Sequence, residues 1–111
     1  MPCFSPTLLR MSVIIHIIYY PGENIYSQSG SSSDDAAVNA AEAWYSEESD
    51  YNYNSNSYQS GTGHFTQMVW KGSTKLGCAV STEGSRAVVC CNYYPAGNYW
   101  GEYSSNVFDK H

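Results

Sequence analysis

The sequence predicts an α+β protein, and three segments carry that prediction. Residues 34–48 combine acidic residues at their beginning with apolar residues at helical spacing, which is typical of an amphipathic helix. Residues 63–70 have the spacing of a second, shorter helix. Two strand-like runs separated by a Gly-Ser pair fill residues 75–94 and predict an antiparallel hairpin. We expect both helices to pack on this hairpin.

The chain's length and charge limit the classes of protein to which it can belong. With 111 residues one domain is expected, and the formal net charge is −5 with no run of basic residues. This balance argues against nucleic acid and against anionic membrane surfaces as partners. The eleven tyrosines suit a ligand groove, although ordinary surface and strand positions account for most exposed aromatic residues. Low charge with abundant Tyr, Ser, Asn and Gly is consistent with a secreted domain.

The first helix carries a carboxylate on its packed face. The residues that share this face are Ala36, Ala40, Ala43, Trp44 and Glu47. An unpaired buried charge is costly, so Glu47 would need a partner or a proton. Alternatively, Glu47 lies at a frayed helix end and reaches water. The loop that follows, Asp50 to Ser60, is rich in Tyr, Asn and Ser and is predicted to be exposed or to rim a groove.

The hairpin has a predicted register. A type II′ turn at Gly84-Ser85 pairs Glu83 with Arg86 and places Cys78 opposite Cys91. Cys90 then faces the other side of the sheet, where we expect a small buried apolar side chain. Four cysteines allow three full pairings, and Cys3 is left unassigned. No CxxC motif is present, which argues against a structural zinc site.

Residues 1–20 are predicted to be a segment outside the domain. Arg10 followed by an apolar run resembles a signal peptide, but the run carries His16 and lacks a clear small-residue cleavage site. It is also too short to span a bilayer, so no transmembrane anchor is expected. The alternative is a buried strand from Val13 to Tyr20.

Three blocks of the sequence resemble one known family. They are Gly61 to Trp70 (GTGHFTQMVW), Leu76 to Val80 (LGCAV) and Val89 to Tyr99 (VCCNYYPAGNY). Their order and spacing are similar to the signatures of the CAP superfamily, which comprises cysteine-rich secretory proteins, venom allergens and plant pathogenesis-related proteins of class one. The resemblance implies a three-layer α-β-α sandwich with a central antiparallel sheet. It covers a domain over residues 21–111 and lacks the family's usual N-terminal part.

The resemblance also implies a site. By the family pattern, Glu23, Glu47 and His64 meet in a central cavity, and Cys78 and Cys91 form a disulfide bond. Without the family, Pro21 to Asn24 would be interpreted as a turn, and Ser27 to Ser33 as a loop. The family's second cavity histidine has no recognisable counterpart, so a divalent cation such as Zn or Mg is expected to bind only weakly.

The family suggests a secreted binding protein that sequesters or transports a sterol or other small lipid, in defence or host–pathogen contact. One alternative is a metal-assisted hydrolase or protease that uses the Glu/His cavity. Another is a precursor whose C-terminal peptide, from Pro95 onward, acts as a signal. The sequence contains no GxSxG or HExxH motif, so binding is preferred to catalysis. A host protein or a second copy of the chain is a further expected partner, because a missing outer helix would expose apolar sheet surface.

Overall fold

The computed structural model describes residues 21–30 and 35–110. Three strands and three helices are present in this part of the chain, and a single turn of 3₁₀ helix, Glu47–Asp50, extends the first helix. The elements in chain order are β1 (Gly22–Ser29), α1 (Ala36–Ser46), α2 (Gly63–Val69), β2 (Lys75–Glu83), β3 (Arg86–Tyr94) and α3 (Tyr103–Asn106). Both predicted helices are therefore present, each slightly shorter than expected. The expected strand from Val13 to Tyr20 lies outside the described residues.

The sheet is antiparallel, with β3 between β1 and β2. The predicted hairpin and its register are confirmed, because Glu83 pairs with Arg86 and Cys78 pairs with Cys91. Gly84 has a φ of 60°, a conformation that glycine adopts without the steric cost of a side chain. The tight turn thus fixes which residues of β2 and β3 face each other.

The first described segment departs from the reading of its residues in isolation. Gly22–Ser29 is a strand paired along its whole length with β3, so the interpretation of Pro21 to Asn24 as a turn, made without the family, is wrong. The predicted loop at 27–33 is also wrong over its first three residues. The strand is rich in Glu, Asn, Ser and Gln, which have low β-propensity. Its extended form comes from hydrogen bonding to β3 rather than from local preference.

The two larger helices lie on the same face of the sheet. Ala36, Ala40 and Trp44 of α1 are buried against alternate residues of β3, from Ala87 to Tyr93. Met68 of α2 packs against the same cluster. The small alanine side chains let the helix backbone approach the sheet closely. The α+β sandwich is therefore confirmed, and the described residues supply its sheet and one helical layer.

A second buried cluster joins the C-terminal tail to α2. Its members are Tyr51, Phe65, Trp70, Tyr103 and Val107. The rings of Trp70 and Tyr103 meet edge to face, with centroids 5.2 Å apart. Tyr51 is only 8% exposed, so the prediction of an exposed loop fails at this residue. Tyr58 in the same loop is 54% exposed and agrees with it.

Two cysteine predictions have different outcomes. Cys78 and Cys91 form a disulfide bond across β2 and β3, with sulfurs 2.03 Å apart. Cys90 is 8% exposed, so its expected burial is confirmed. Cys90 is also disulfide-bonded, which the sequence did not predict. The two bonds begin on opposite faces of β3, since successive side chains of a strand alternate.

Candidate ligand-binding cavity

A cavity of about 360 Å³ opens beside the beginning of β1 and the beginning of α2. Its lining is mainly polar and comes from four parts of the chain. The lining residues are Glu23, Asn24, Glu47, Tyr58, Gly61, Gly63, His64 and Asn98. The structure therefore places Glu23, Glu47 and His64 in the lining of one cavity, although 17 to 41 positions separate them along the chain.

His64 is held by a carboxylate and by an aromatic ring. Its Nδ1 atom lies 2.9 Å from Glu47 Oε2, and its ring stacks on Trp44 at a centroid distance of 6.2 Å. A carboxylate only accepts hydrogen bonds, so Nδ1 carries the proton in this pair. The other ring nitrogen, Nε2, is then the atom left to interact with a ligand. With 47% of its side chain exposed, His64 is accessible from solvent.

Glu47 is fixed at both carboxylate oxygens. Besides the contact with His64, its Oε1 accepts a hydrogen bond from the backbone N–H of Phe65 at 2.9 Å. An acidic group at this place satisfies a free N–H in the first turn of α2. Its side chain is 20% exposed and is bonded to His64 and to the Phe65 N–H. Glu47 therefore does not lie at a frayed helix end that reaches water. The neighbouring Glu48 accepts from the Tyr53 hydroxyl at 2.7 Å instead.

Glu23 reaches the cavity from the sheet. It lies on β1 opposite Asn92, whose side-chain amide donates to Glu23 Oε2 at 3.2 Å. The cavity thus contains two carboxylates in different settings. Glu47 is locked to α2, while Glu23 is tied to the central strand.

Two asparagines position the first turn of α2, and the sequence analysis assigned them no role. The Asn24 amide donates to the carbonyl of His64 at 3.0 Å and is 2% exposed. The Asn98 amide donates to the carbonyl of Gly63 at 3.0 Å, and its oxygen accepts from the Thr66 hydroxyl at 2.6 Å. Asn98 has a φ of 61°, which asparagine tolerates better than most residues. For Asn98, the available signal was the composition of residues 95–98, which is typical of a turn.

Asn24 also contacts Tyr93 beneath the cavity. Its amide donates to the Tyr93 hydroxyl oxygen at 3.3 Å. Burial raises the pKa of Tyr93, and the hydrogen bond from Asn24 opposes this effect in part. Tyr93 is therefore a neutral phenol at neutral pH and serves as an acceptor below the helix.

The cavity residues do not form a ready-made metal site. Within residues 21–30 and 35–110, no three His, Cys, Asp or Glu side chains converge closely enough to hold an ion. His64 Nδ1 and Glu47 are bonded to each other, so Glu47 is placed to orient the imidazole rather than to share a metal with it.

The comparisons with known proteins place this geometry in a family. Residues 16–93 match the CAP, or cysteine-rich secretory protein, family, so the chain belongs to that family. The match begins before residue 21, the predicted first residue of the domain. The domain boundary at residue 21 stays a prediction. The chain spans about half the length of the curated relatives it matches.

Two relatives and one solved structure illustrate the similarity. Pathogenesis-related protein 1 of Arabidopsis thaliana is 43% identical over 79 residues, which cover 70% of this chain and 47% of the relative. The human Golgi-associated plant pathogenesis-related protein 1 is 43% identical over 83 residues, covering 73% and 51%. The crystal structure of NaASP2 with Zn²⁺ has a TM-score of 0.66 and 35% identity, covering 82% of this chain and 50% of that one. These matches confirm the family resemblance.

Proposed function

We propose that the protein is a secreted binding protein that sequesters or transports a small lipid with a polar end, such as a sterol. The cavity beside α2 carries this proposal. Its volume of about 360 Å³ lies in the range of small-molecule sites. Glu23, Glu47 and His64 offer acceptors and a ring nitrogen for a hydroxyl group, while the exposed ring of Tyr58 offers apolar area.

The bonding state of the cavity residues favours binding over catalysis. Both oxygens of Glu47 are already occupied, by His64 and by the Phe65 N–H. Among the described residues that line the cavity, none is a Ser, Thr, Cys or Lys that could attack a substrate. The alternative hydrolase would therefore have to use water activated at His64, and its activity should disappear in His64→Ala.

A secreted location fits the cysteine chemistry. Cys78 and Cys91 are bonded to each other, and Cys90 is bonded as well. Structural disulfides persist in oxidising compartments and are rare in the cytosol. Of the helices in the described part of the chain, none is long and apolar enough to cross a bilayer. A role in defence or host–pathogen contact follows from the pathogenesis-related relatives alone.

Filling the cavity should abolish ligand retention without unfolding the chain. A Cβ atom at Gly63 would meet only Asn98 Nδ2, at 3.9 Å, so the position accepts a side chain. Gly63→Leu should place its side chain in the cavity and lower retention of a radiolabelled sterol or fatty acid by about tenfold or more, which corresponds to about 1.4 kcal/mol. Retention is measured by gel filtration of the purified chain after incubation with the label.

Gly63→Ala is the matched control for this experiment. It adds one methyl group at the same position and should keep most of the retention. Circular dichroism should show both variants folded. Equal retention by Gly63→Leu and the unchanged chain would contradict binding in this cavity.

We also propose that a divalent cation binds weakly at the same place. One similar solved structure contains Zn²⁺, and His64, through Nε2, and Glu23 both line the cavity here. Titration of the chain with Zn²⁺ in a calorimeter should give a weak heat that His64→Ala removes, because imidazole is the strongest zinc ligand present. Glu42→Gln, on an α1 side chain that does not line the cavity, is the control. Unchanged binding by His64→Ala would place the ion elsewhere.

A further inference from the structure

Exposed aromatic residues lie on the two loops beside the cavity, and two of them, Tyr99 and Trp100, have no part in the proposed ligand binding. Trp100 is 82% exposed, Tyr58 is 54% exposed and Tyr99 is 49% exposed. We call these three residues the aromatic rim. Side chains of this size are normally buried, because each offers a large apolar area. The exposure of three such side chains on two loops that are hydrogen-bonded to each other therefore needs a reason.

The aromatic rim adjoins the cavity on two linked loops. Tyr58 lines the cavity itself, and Asn98, next to Tyr99, lines it from the second loop. Asn56 joins the loops: its amide donates to the carbonyl of Gly101 at 2.8 Å, and its oxygen accepts from the Ser104 N–H at 2.8 Å. A surface that contacts the aromatic rim therefore lies next to the cavity.

The backbone holds Trp100 at the tip of a tight turn. The Glu102 N–H donates to the carbonyl of Tyr99 at 3.1 Å, which closes a four-residue turn with Trp100 and Gly101 at its centre. Gly101 has a φ of 77°, the value that a type II turn requires at its third position. The indole is therefore presented to solvent by an ordered turn and does not have to be rearranged for binding.

We propose that the aromatic rim is a docking surface for the headgroup region of a zwitterionic lipid bilayer. All three residues are Tyr or Trp, which combine an apolar ring with a polar group and are enriched at membrane–water interfaces. The net charge of −5 opposes both an anionic bilayer and a second copy of the chain, whereas a zwitterionic surface carries no net charge. Bilayer docking goes beyond ligand binding and would stand even if the cavity held no lipid.

Phe108 provides a contrast within the same molecule. It is 57% exposed, but the Lys71 ammonium lies 5.8 Å from the centre of its ring. A cation over the ring face already partners it and brings water with it. Exposure alone therefore does not define the aromatic rim; its composition and its place beside the cavity do.

Vesicle binding tests this proposal directly. The 111-residue chain should co-sediment with phosphatidylcholine vesicles, and the indole fluorescence should shift to shorter wavelength. Trp100 supplies that signal, because Trp44 and Trp70 are 5% and 4% exposed. Trp100→Ala should lower the bound fraction by about tenfold or more, because the variant has no indole to bury in the bilayer. Trp100→Phe should retain part of it, and Phe108→Ala should bind like the unchanged chain.

Several results would overturn the proposal. These are no binding of the unchanged chain, equal binding by Trp100→Ala, or a preference for vesicles containing phosphatidylserine. Concentration-dependent self-association that Trp100→Ala removes, without vesicle binding, would assign the aromatic rim to a second copy instead. Gly63→Leu separates this test from the cavity test, since it should lose lipid retention and keep vesicle binding.

Discussion

Tyr103→Ala is expected to lower the free energy of unfolding by about 3–5 kcal/mol, the usual cost of truncating a fully buried aromatic side chain. Tyr103 is 1% exposed and packs edge to face on Trp70 in the second buried cluster. Small domains are stable by only about 5–15 kcal/mol, so this change should remove a large part of the total. Urea unfolding monitored by circular dichroism measures the loss.

Two variants separate packing from other effects of the Tyr103 substitution. Tyr103→Phe keeps the ring and removes only a long hydrogen bond to the Asn98 carbonyl, at 3.4 Å. It should cost no more than about 1 kcal/mol. Phe108→Ala truncates an aromatic residue that is largely exposed and should cost less than Tyr103→Ala by about 2 kcal/mol or more. A Tyr103→Ala chain as stable as the Phe108→Ala chain would contradict this account.

The same cluster bears on release of a C-terminal peptide. Tyr103 and Val107 are buried with Phe65 and Trp70, and the Asn106 carbonyl accepts from the Lys71 N–H at 3.0 Å. Cutting the chain before Pro95 would not free a peptide until these contacts broke. The structure therefore favours a tail that supports the fold. If the tail is a signal, its release requires partial unfolding.

The helices and the hairpin could be predicted because their signals are local. Helical spacing marks α1, and the Gly84-Ser85 turn alone fixes the pairing of Cys78 with Cys91. Strand β1 could not be predicted from its own residues, since its extended form depends on β3, whose paired residues lie 57 to 71 positions further along the chain. The burial of Tyr51 in the core could not be predicted for the same reason. Its burial depends on Phe65, with which its ring is in contact.

The residues of the candidate site also differ in how far they could be predicted from the sequence. Glu47 could be singled out because helical spacing placed it on the packed face of α1. Glu23 and His64 were chosen through the family resemblance, since neither lies in a pattern that would mark it alone. Asn24 and Asn98 were missed because their roles depend on the carbonyls of His64 and Gly63, which no sequence pattern displays.

Gly97→Ala is expected to be the second most damaging change, because it acts on the support of the cavity. A Cβ atom at Gly97 would lie 2.7 Å from Gln67 Nε2 and 2.8 Å from Trp70 Cγ. Trp70 is buried and cannot move aside, and Gln67 accepts a hydrogen bond from the Gly97 N–H at 2.9 Å. Overpacking and the strained hydrogen bond together should cost about 2–4 kcal/mol, measured by urea unfolding.

The damage should extend to ligand binding, and Gly63→Ala provides the comparison. Asn98 follows Gly97 directly, so a displaced loop withdraws its amide from the Gly63 carbonyl and loosens the turn that carries His64. The folded fraction of Gly97→Ala should therefore retain less labelled lipid than the unchanged chain. Gly63→Ala makes the same chemical change where the new Cβ atom would meet Asn98 Nδ2 at 3.9 Å, and alanine suits a helix better than glycine. Equal stability of the two variants would mean that the close contact between Gly97 and α2 does not hold the cavity in place.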